Sequence, residues 1–415
     1  MAIGTAPRLR STEGARPTLV RSGANRRSVE RRPAVVAKCG WVNGLAAIRS
    51  LGRHGVPVVA VDYDAGALGF RSRYTTRAAL CPDPLRDEEA FVAFMAQLGD
   101  EDAPRPIFPT NDELLNTIAR NRSALGEGFL CPFPSWDLLR RVQSKRFQLE
   151  QAVALGIPCP ETRDQPTEEL GFPVLVKPTD PTAFQRRFDG THAFRCETME
   201  QLEEAYERAA PYGPLVQELI PGGDDTLYTV GAYVSPGGDV LGVFCGRKLR
   251  QTPPEVGTCR VGEALWVDEV VEQGLRYLRG LGYHGLAQVE FKLDSRDGRY
   301  KLMEINPRLW QWHGLAAACG VDLVQVAYRD LLGEAPAPVA MDGRRRRWAI
   351  TLASRESPAL VRPPYVDAVF ARDDPGPALD HLKRLAFRAR LVRGARRAVL
   401  LAARGAGPFT RGRRA

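Results

Sequence analysis

Three oxygen-bearing side chains, Glu290, Glu304 and Asn306, are the strongest candidates for chemistry in this sequence of 415 residues. They lie on two runs of alternating apolar residues, Leu286–Leu293 and Tyr300–Ile305, which flank a turn-forming segment. This pattern predicts a β-hairpin. Because successive side chains alternate between the faces of a strand, Glu304 and Asn306 point the same way, and Glu290 can face them. Two carboxylates and an amide oxygen suit Mg²⁺, with Mn²⁺ as an alternative ion.

The same segment carries Arg308, a fixed positive group beside the carboxylates. The phrase VEFK…RYKLMEINPRLW resembles the metal-binding end of the ATP-grasp ligases, and in particular the carboxylate–amine ligase branch that includes D-aspartate ligase-like proteins. This resemblance, over residues 33–335, implies an α/β chain in which an N-terminal doubly wound (pre-ATP-grasp) domain precedes a two-lobed α+β ATP-grasp fold. It also implies ATP and Mg²⁺ as cofactors, with a carboxylate and an amine as small-molecule substrates.

Three lysines are candidates for binding the phosphates. Lys177 ends the apolar strand Phe172–Pro178, and a lysine on a buried strand is costly unless an anion pairs with it. The alternative is that its ammonium group extends past the end of the strand into water. Lys145, in VQSKRFQLEQAVALGIPCPET, is by itself an ordinary surface lysine, but this phrase resembles the segment of the first nucleotide-binding lysine in ATP-grasp enzymes. Lys248 follows in GRKLRQTPP and is the third candidate.

The QELIPG segment resembles the linker that holds adenine in the family. The resemblance implies that the base is lined by four consecutive residues: Gln217, Glu218, Leu219 and Ile220. An acidic residue just beyond it would bind the ribose, and both Asp224 and Asp225 fit this position. The alternative is a plain strand followed by a turn.

Arginines are expected at the reacting groups. The resemblance gives Arg308 the role of stabilising an acyl phosphate, with Lys248 beside it. Arg260 follows Gly257 in a predicted loop and could meet the acyl phosphate or a substrate carboxylate. The segment Thr179–Thr191 has a single glycine, and its Arg186-Arg187 pair resembles the variant phosphate loop of the D-aspartate ligase-like branch.

The N-terminal region reads as alternating strands and helices, with strands at Ala34–Lys38, Val56–Asp62 and Pro106–Phe108. This order predicts a doubly wound sheet. Residues Thr110-Asn111-Asp112-Glu113 follow the third strand, at the edge where open α/β sheets place ligand groups. By the resemblance they contact the acceptor substrate. Without a G-x-G-x-x-G motif, a dinucleotide site is weakly supported.

Apolar periodicity predicts helices over Trp136–Leu155, Val267–Gly280 and Leu315–Leu332. The predicted organisation has five parts, which are a disordered basic arm at 1–32, an N-terminal α/β domain at 33–135, ATP-grasp lobes at 136–214 and 215–335, and a basic tail at 336–415.

Composition narrows the class of protein. Eight cysteines without a C-x-x-C pair argue against a zinc site or a disulfide framework. The sequence shows neither a long apolar stretch nor an apolar signal core, so we expect a cytoplasmic protein. The net charge of +9 is concentrated at the ends, with +6 in residues 1–32 and +11 in residues 381–415 against −8 between them. No specific nucleic-acid partner is predicted.

Residues Leu379–Arg404 have the pattern of a basic amphipathic helix. It could dock on the protein's own surface or adsorb to an anionic membrane, which would place the protein at the inner membrane surface. The sequence names neither the acid nor the amine, and it leaves the oligomeric state open. Two rival functions are activation of bicarbonate or another acid on the same scaffold, and nucleotide binding without ligase turnover, in which the basic tails act.

Overall fold

The computed structural model describes residues 31–100, 104–179, 181–254, 257–351 and 365–386. Most of the predicted basic arm and residues 387–404 of the predicted tail helix therefore lie outside the described residues. Residues 376–386, where that tail helix begins, are helical. Within the described ranges no helix combines the length and the apolar character needed to cross a membrane.

The first layer is a parallel five-stranded sheet with the order β3-β2-β1-β4-β5. Its strands are β1 (Ala34–Ala37), β2 (Val58–Asp62), β3 (Thr75–Leu80), β4 (Arg105–Pro109) and β5 (Phe129–Leu130). Helices α1 (Val42–Arg53), α2 (Glu88–Asp100) and α3 (Asp112–Arg120) and a 3₁₀ turn (Leu68–Arg71) connect them. β1 and β2 are buried throughout, as expected for apolar parallel strands covered on both faces. The predicted doubly wound arrangement is confirmed.

A smaller antiparallel sheet has the order β6-β9-β7-β8. Its strands are β6 (Thr162–Arg163), β7 (Val174–Pro178), β8 (Phe194–Cys196) and β9 (Pro214–Glu218). The helices of this part of the chain are α4 (Trp136–Val142), α5 (Lys145–Ala154), α6 (Pro181–Arg187) and α7 (Met199–Ala209), with a 3₁₀ turn at Ala210–Tyr212. Phe184 of α6 is fully buried against this sheet.

The largest sheet is mixed, with the order β14-β13-β10-β11-β12-β16-β17 and with β15 beside β11. Its strands are β10 (Leu227–Val234), β11 (Val240–Thr252), β12 (Thr258–Ala264), β13 (Gly285–Leu293), β14 (Tyr300–Asn306), β15 (Val339–Ala340), β16 (Arg347–Ala349) and β17 (Tyr365–Asp367). A short 3₁₀ turn (Asp224–Thr226) precedes β10, and the helices are α8 (Asp268–Gly280), α9 (Gly314–Ala318) and α10 (Leu323–Leu331).

Four local predictions were wrong. The expected helix Trp136–Leu155 is broken at Gln143–Ser144 into α4 and α5, and Leu315–Leu332 is two helices, because Gly320 adopts φ +85° in the turn after α9. The predicted loop at Arg260 is part of β12, where the chain pairs with both β11 and β16. The predicted loop Thr179–Thr191 contains α6.

The division between the lobes also differs from the expected one. β9 pairs with β7 and β6 in the small sheet, so the chain leaves that sheet after Glu218 rather than at residue 214. α4 and α5 pack with the large sheet, since Val142 and Ala152 share a core with α8 and β10. Residues 336–351 and 365–378 are not a tail, because β15, β16 and β17 join the large sheet and Trp348 is buried.

A buried ion pair fastens the C-terminal segment to the N-terminal sheet. Arg49 on α1 is 4% exposed and Asp374 is fully buried, with Arg49 Nε 2.9 Å from Asp374 Oδ2. The same carboxylate accepts hydrogen bonds from the Ser72 hydroxyl and the Arg73 backbone N–H, both at 2.8 Å. A second Arg49 nitrogen donates to the Val369 carbonyl at 2.7 Å. Since each of the three guanidinium nitrogens of Arg49 has an acceptor, this contact positions α1 against the C-terminal segment.

Removing the buried carboxylate should destabilise the fold strongly. Asp374→Ala leaves Arg49 buried without its counter-charge, which we expect to lower the free energy of unfolding by about 3–5 kcal/mol. Asp373→Ala is the matched control, because its partner Arg53 and Asp373 itself are 47% and 43% exposed, and such pairs contribute about 1 kcal/mol or less. Urea unfolding of the two variants measures the difference. Equal losses would show that the buried pair has no special role.

Candidate active site

The predicted hairpin is formed by β13 and β14, and its register brings the acidic residues together. Glu290 lies directly opposite Glu304, and Gln288 lies opposite Asn306. Directly opposed residues of an antiparallel pair share a face of the sheet. Gln288 Nε2 donates to Glu290 Oε1 at 2.8 Å, and Asn306 Nδ2 donates to Glu304 Oε1 at 3.0 Å. The two amides therefore orient the two carboxylates.

Each carboxylate is held by a lysine from another segment. Lys248 on β11 lies 3.1 Å from Glu290 Oε2 and 3.0 Å from Oε1, and both residues are buried. Lys145, the first residue of α5, donates to Glu304 Oε2 at 2.8 Å. Burial raises the pKa of Glu290, and the adjacent Glu304 adds to this. Burial would also raise the pKa of Glu304, but the ammonium groups of Lys145 and Lys248 hold it well below its usual value.

Arg308 is fixed by a residue of the N-terminal sheet region. Its Nε and Nη2 donate to the two carboxylate oxygens of Asp112, both at 2.8 Å, and Nη2 is 3.5 Å from Asn306 Oδ1. Asp112 is the first residue of α3, in the connection that follows β4. The bidentate pair orients the guanidinium beside the carboxylates and joins the two parts of the chain at the site.

Lys177, at the end of β7, donates to Gln217 Oε1 at 2.7 Å. Gln217 in turn donates to the Thr162 hydroxyl at 3.1 Å. Desolvation, followed by repulsion from Lys145, lowers the pKa of Lys177 to about 8. A nearby anion would stabilise the charged form of this desolvated lysine.

A cavity of about 490 Å³ opens between the small sheet and the hairpin. The predicted base-binding residues Glu218, Leu219 and Ile220 line it, and Phe172 and Pro173 supply further apolar wall. The side chain of Gln217 is instead engaged with Lys177 and Thr162.

The two candidate ribose residues differ in environment. Asp224 Oδ2 accepts a hydrogen bond from the Gln251 backbone N–H at 2.9 Å, whereas Asp225 is exposed. Neither residue is among those that line the cavity in the described chain.

An ionic network that the sequence did not predict closes one side of the cavity. Lys301 Nζ lies 2.8 Å from Asp294 Oδ2 and 3.0 Å from Glu218 Oε1. Arg296 Nη2 bridges the same two acids, at 2.5 Å from Asp294 and 2.6 Å from Glu218. Because Glu218 ends β9 and the other three belong to the hairpin, the network joins the small sheet to the large one beside the cavity.

Two predicted arginines lie outside this cluster. Arg260 is on β12 and is not among the described side chains that contact Glu290, Glu304 or Arg308. Arg186 on α6 reaches Glu113 at 3.4 Å, an exposed contact with the residue that follows Asp112.

The structure thus brings together Lys145, Lys248, Glu290, Glu304, Asn306 and Arg308, with Lys177 close enough for its charge to interact with Lys145 and Glu304. Two neighbours were missed, Gln288 and Lys292. Both share the alternation that places Glu290 on its face of β13, so the spacing of two residues in LAQVEFK is the signal that could have found them.

Comparison with known proteins shows which proteins this chain resembles. The family model described as carbamoyl-phosphate synthase L chain, ATP binding domain, matches residues 266–335, which contain the hairpin. The D-aspartate ligase of Enterococcus faecium is 26% identical over 273 residues, which cover 61% of this chain and 65% of that one. The chain therefore spans slightly less than two thirds of the length of this relative.

Solved structures share the arrangement of sheets. The biotin carboxylase domain of the Hydrogenobacter thermophilus 2-oxoglutarate carboxylase, in complex with MgADP, ADP and bicarbonate, has a TM-score of 0.59 at 19% identity and covers 76% of this chain and 72% of its own. The L-amino acid ligase of Bacillus licheniformis has a TM-score of 0.54 at 19% identity, with 72% and 74% covered. The chain has the ATP-grasp fold. The predicted α/β class and the predicted resemblance to ATP-grasp proteins are confirmed.

The charge cluster of this ATP-grasp fold can be tested without any ligand. We expect Lys177 to titrate near pH 8 rather than at its ordinary value of 10.5. Lys145→Met should raise the pKa of Lys177, because a repelling neighbour is removed. The pKa can be measured by carbon NMR of lysines labelled at the ε-carbon, with the Lys177 signal assigned by its loss in Lys177→Met. Arg146→Met is the control, since Arg146 pairs with Asp164 at the surface and should leave the value unchanged. A Lys177 pKa near 10.5 would contradict the described cluster.

Proposed function

We propose that the protein is an ATP-dependent, ADP-forming ligase that joins a carboxylate to an amine through an acyl phosphate. The observation that carries this proposal is the facing pair Glu290 and Glu304, surrounded by Lys145, Lys248 and Arg308. Such chemistry requires a carboxylate to approach a triphosphate of like charge. The converging lysines and arginine, together with a metal ion held by the two acids, would offset this repulsion. Two of the similar proteins are by name ligases of amino acids, which supports the same function.

The nucleotide would occupy the cavity between the small sheet and the hairpin. Its volume of about 490 Å³ is within the range of ligand pockets, and its wall of Leu219, Ile220 and Phe172 suits a flat apolar ring. Glu218 and Gln217 would contribute beside them. Of the two candidate ribose acids, we assign the ribose to Asp224, whose position is held by the backbone of β11.

A divalent ion fits the facing carboxylates. Burial and the neighbouring acid raise the pKa of Glu290, so two ionised groups at this position call for a positive charge between them. Glu290, Glu304 and Asn306 would hold Mg²⁺, or Mn²⁺ in its place, as oxygen ligands. The ion would neutralise phosphate charge during transfer.

The chain's own cations would then act on the reacting groups. Lys145, Lys177 and Lys248 would contact phosphate oxygens, while Arg308, oriented by Asp112, would stabilise the acyl phosphate and the tetrahedral intermediate that follows. Arg260, on the neighbouring strand β12, is proposed to bind a substrate carboxylate. Residues Thr110–Glu113, at the carboxyl end of β4, would contact the acceptor substrate.

The cytoplasmic location and the adsorption of the basic tail to an anionic membrane stay predictions from the sequence. A second candidate function is activation of bicarbonate, the anion in the similar carboxylase domain. The two functions differ in their acid substrate, so the same assay separates them.

Product analysis tests the proposed reaction. We expect ADP and phosphate to form only when a suitable carboxylate and amine are both present, in a panel of amino acids, small peptides and sugar acids, with bicarbonate as a separate arm. Chromatography of nucleotides and a phosphate assay report the products. Formation of AMP and pyrophosphate would contradict the proposal, as would nucleotide turnover with bicarbonate alone.

Glu304 is the residue whose loss should affect turnover most directly. Glu304→Gln removes the negative charge of a proposed Mg²⁺ ligand, at the place where charge develops on the transferred phosphate. We therefore expect turnover to fall by at least roughly 100-fold, equivalent to about 3 kcal/mol. The free energy of unfolding should change by about 1 kcal/mol or less, because the Glu304 side chain is 36% exposed. Asp297→Asn, in the turn of the same hairpin, is the control and should keep turnover within about twofold. Near-normal turnover of Glu304→Gln would remove this residue from the site.

A further inference from the structure

The helix of residues 376–386 presents its leucines to solvent. Leu379, Leu382 and Leu385 are 55%, 46% and 37% exposed. Because they recur at every third residue and a helix turns by about 100° per residue, they form one leucine stripe about 120° wide. A helix on the surface of a globular protein normally turns its apolar side toward the core. A stripe that faces outward indicates a contact with an apolar medium or molecule.

The other side of the helix is held by the rest of the chain. Ala378 is 3% exposed and shares a hydrophobic core with Ile48 of α1. Arg384 Nε donates to Asp380 Oδ2 at 2.6 Å, and Asp380 Oδ1 lies 3.5 Å from Nε of Arg71, in the 3₁₀ turn before β3. These contacts fix the rotation of the helix about its axis, so the fold itself directs the leucine stripe outward.

The charge around the stripe selects among possible occupants. Lys383 is exposed and lies about 40° around the helix from Leu379. Residues 381–415 contain eleven lysines and arginines and no acidic residue, so two copies of this segment would repel each other. A nucleic acid would match the positive charge but would leave the leucines in water. An anionic lipid surface accommodates both the apolar stripe and the cations.

We propose that the leucine stripe docks the protein on an anionic lipid surface. The three leucines would enter the boundary between headgroups and acyl chains, and Lys383 would lie among the phosphate groups. The positive charge of residues 387–415 would add electrostatic attraction. The sequence left open whether this segment docks on the protein's own surface or on a membrane, and the exposure of the leucines favours the membrane. This docking is independent of the proposed ligase reaction.

Flotation of the full chain with lipid vesicles tests this surface. One set of vesicles contains phosphatidylserine and phosphatidylcholine, and the other contains phosphatidylcholine alone. Leu379→Gln combined with Leu382→Gln removes apolar surface and keeps the charge, whereas Lys383→Gln removes one charge. Val153→Gln is the matched control, because Val153 is an apolar residue of α5 that is 69% exposed. Thermal unfolding and light scattering without vesicles are recorded for each protein.

We expect the wild type to bind the anionic vesicles and to bind phosphatidylcholine alone much more weakly. The double leucine variant should bind anionic vesicles about 10- to 100-fold more weakly, because two leucines no longer transfer from water into lipid. Lys383→Gln should bind about fivefold more weakly, and Val153→Gln should bind as the wild type does. All variants should unfold near the wild-type temperature, because the replaced side chains are exposed.

Five results would overturn the lipid assignment. Two are direct: the wild type does not bind anionic vesicles, or the double leucine variant binds them as well as the wild type. A marked loss of thermal stability in that variant would show that the protein's own chain covers the stripe. A wild-type dimer that the variant does not form would assign the stripe to a second copy. Tighter binding to a DNA duplex than to anionic vesicles, equal in both proteins, would assign the basic segment to nucleic acid.

Discussion

The pairing of Glu290 with Glu304 across the β13–β14 hairpin is the constraint on which the rest of the site depends. The buried carboxylate of Glu290 and the partly exposed carboxylate of Glu304 repel each other at opposed positions, and the fold compensates by directing Lys248 and Lys145 at them from β11 and α5. These lysines come from separate parts of the chain, so their ion pairs with the two carboxylates bring distant segments together at the hairpin. The same balance of acids and cations is what a metal-bound polyphosphate requires.

A second contact ties the N-terminal sheet to this centre. Arg308, two residues after the end of the hairpin, forms a bidentate pair with Asp112, the first residue of α3. Farther away, Arg49 and Asp374 fasten α1 to the C-terminal segment through a fully buried pair. The part of the chain proposed to hold the acceptor is therefore positioned by two ion pairs, one at the site and one behind it.

The sequence predicted what local periodicity determines. Strand alternation was sufficient to place Glu290, Glu304 and Asn306 on one face, and the end of an apolar strand was sufficient to mark Lys177. Local periodicity was insufficient where pairing between distant segments decides the outcome, because Arg260 became part of β12, whose adjacent residues Cys259 and Val261 pair with β11. The same holds for Trp348, which is buried only because β16 joins the large sheet. The predicted site roles stay predictions until binding and turnover are measured.

The proposed role of this charge cluster is to transfer phosphate from the nucleotide to a carboxylate. Mass analysis of the phosphate released from a substrate with an ¹⁸O-labelled carboxylate tests that step most directly. If an acyl phosphate forms and the amine attacks its carbonyl carbon, one labelled oxygen leaves with the phosphate. We expect the released phosphate to be heavier by one ¹⁸O atom in every turnover. Unlabelled phosphate, or label recovered in AMP, would contradict it.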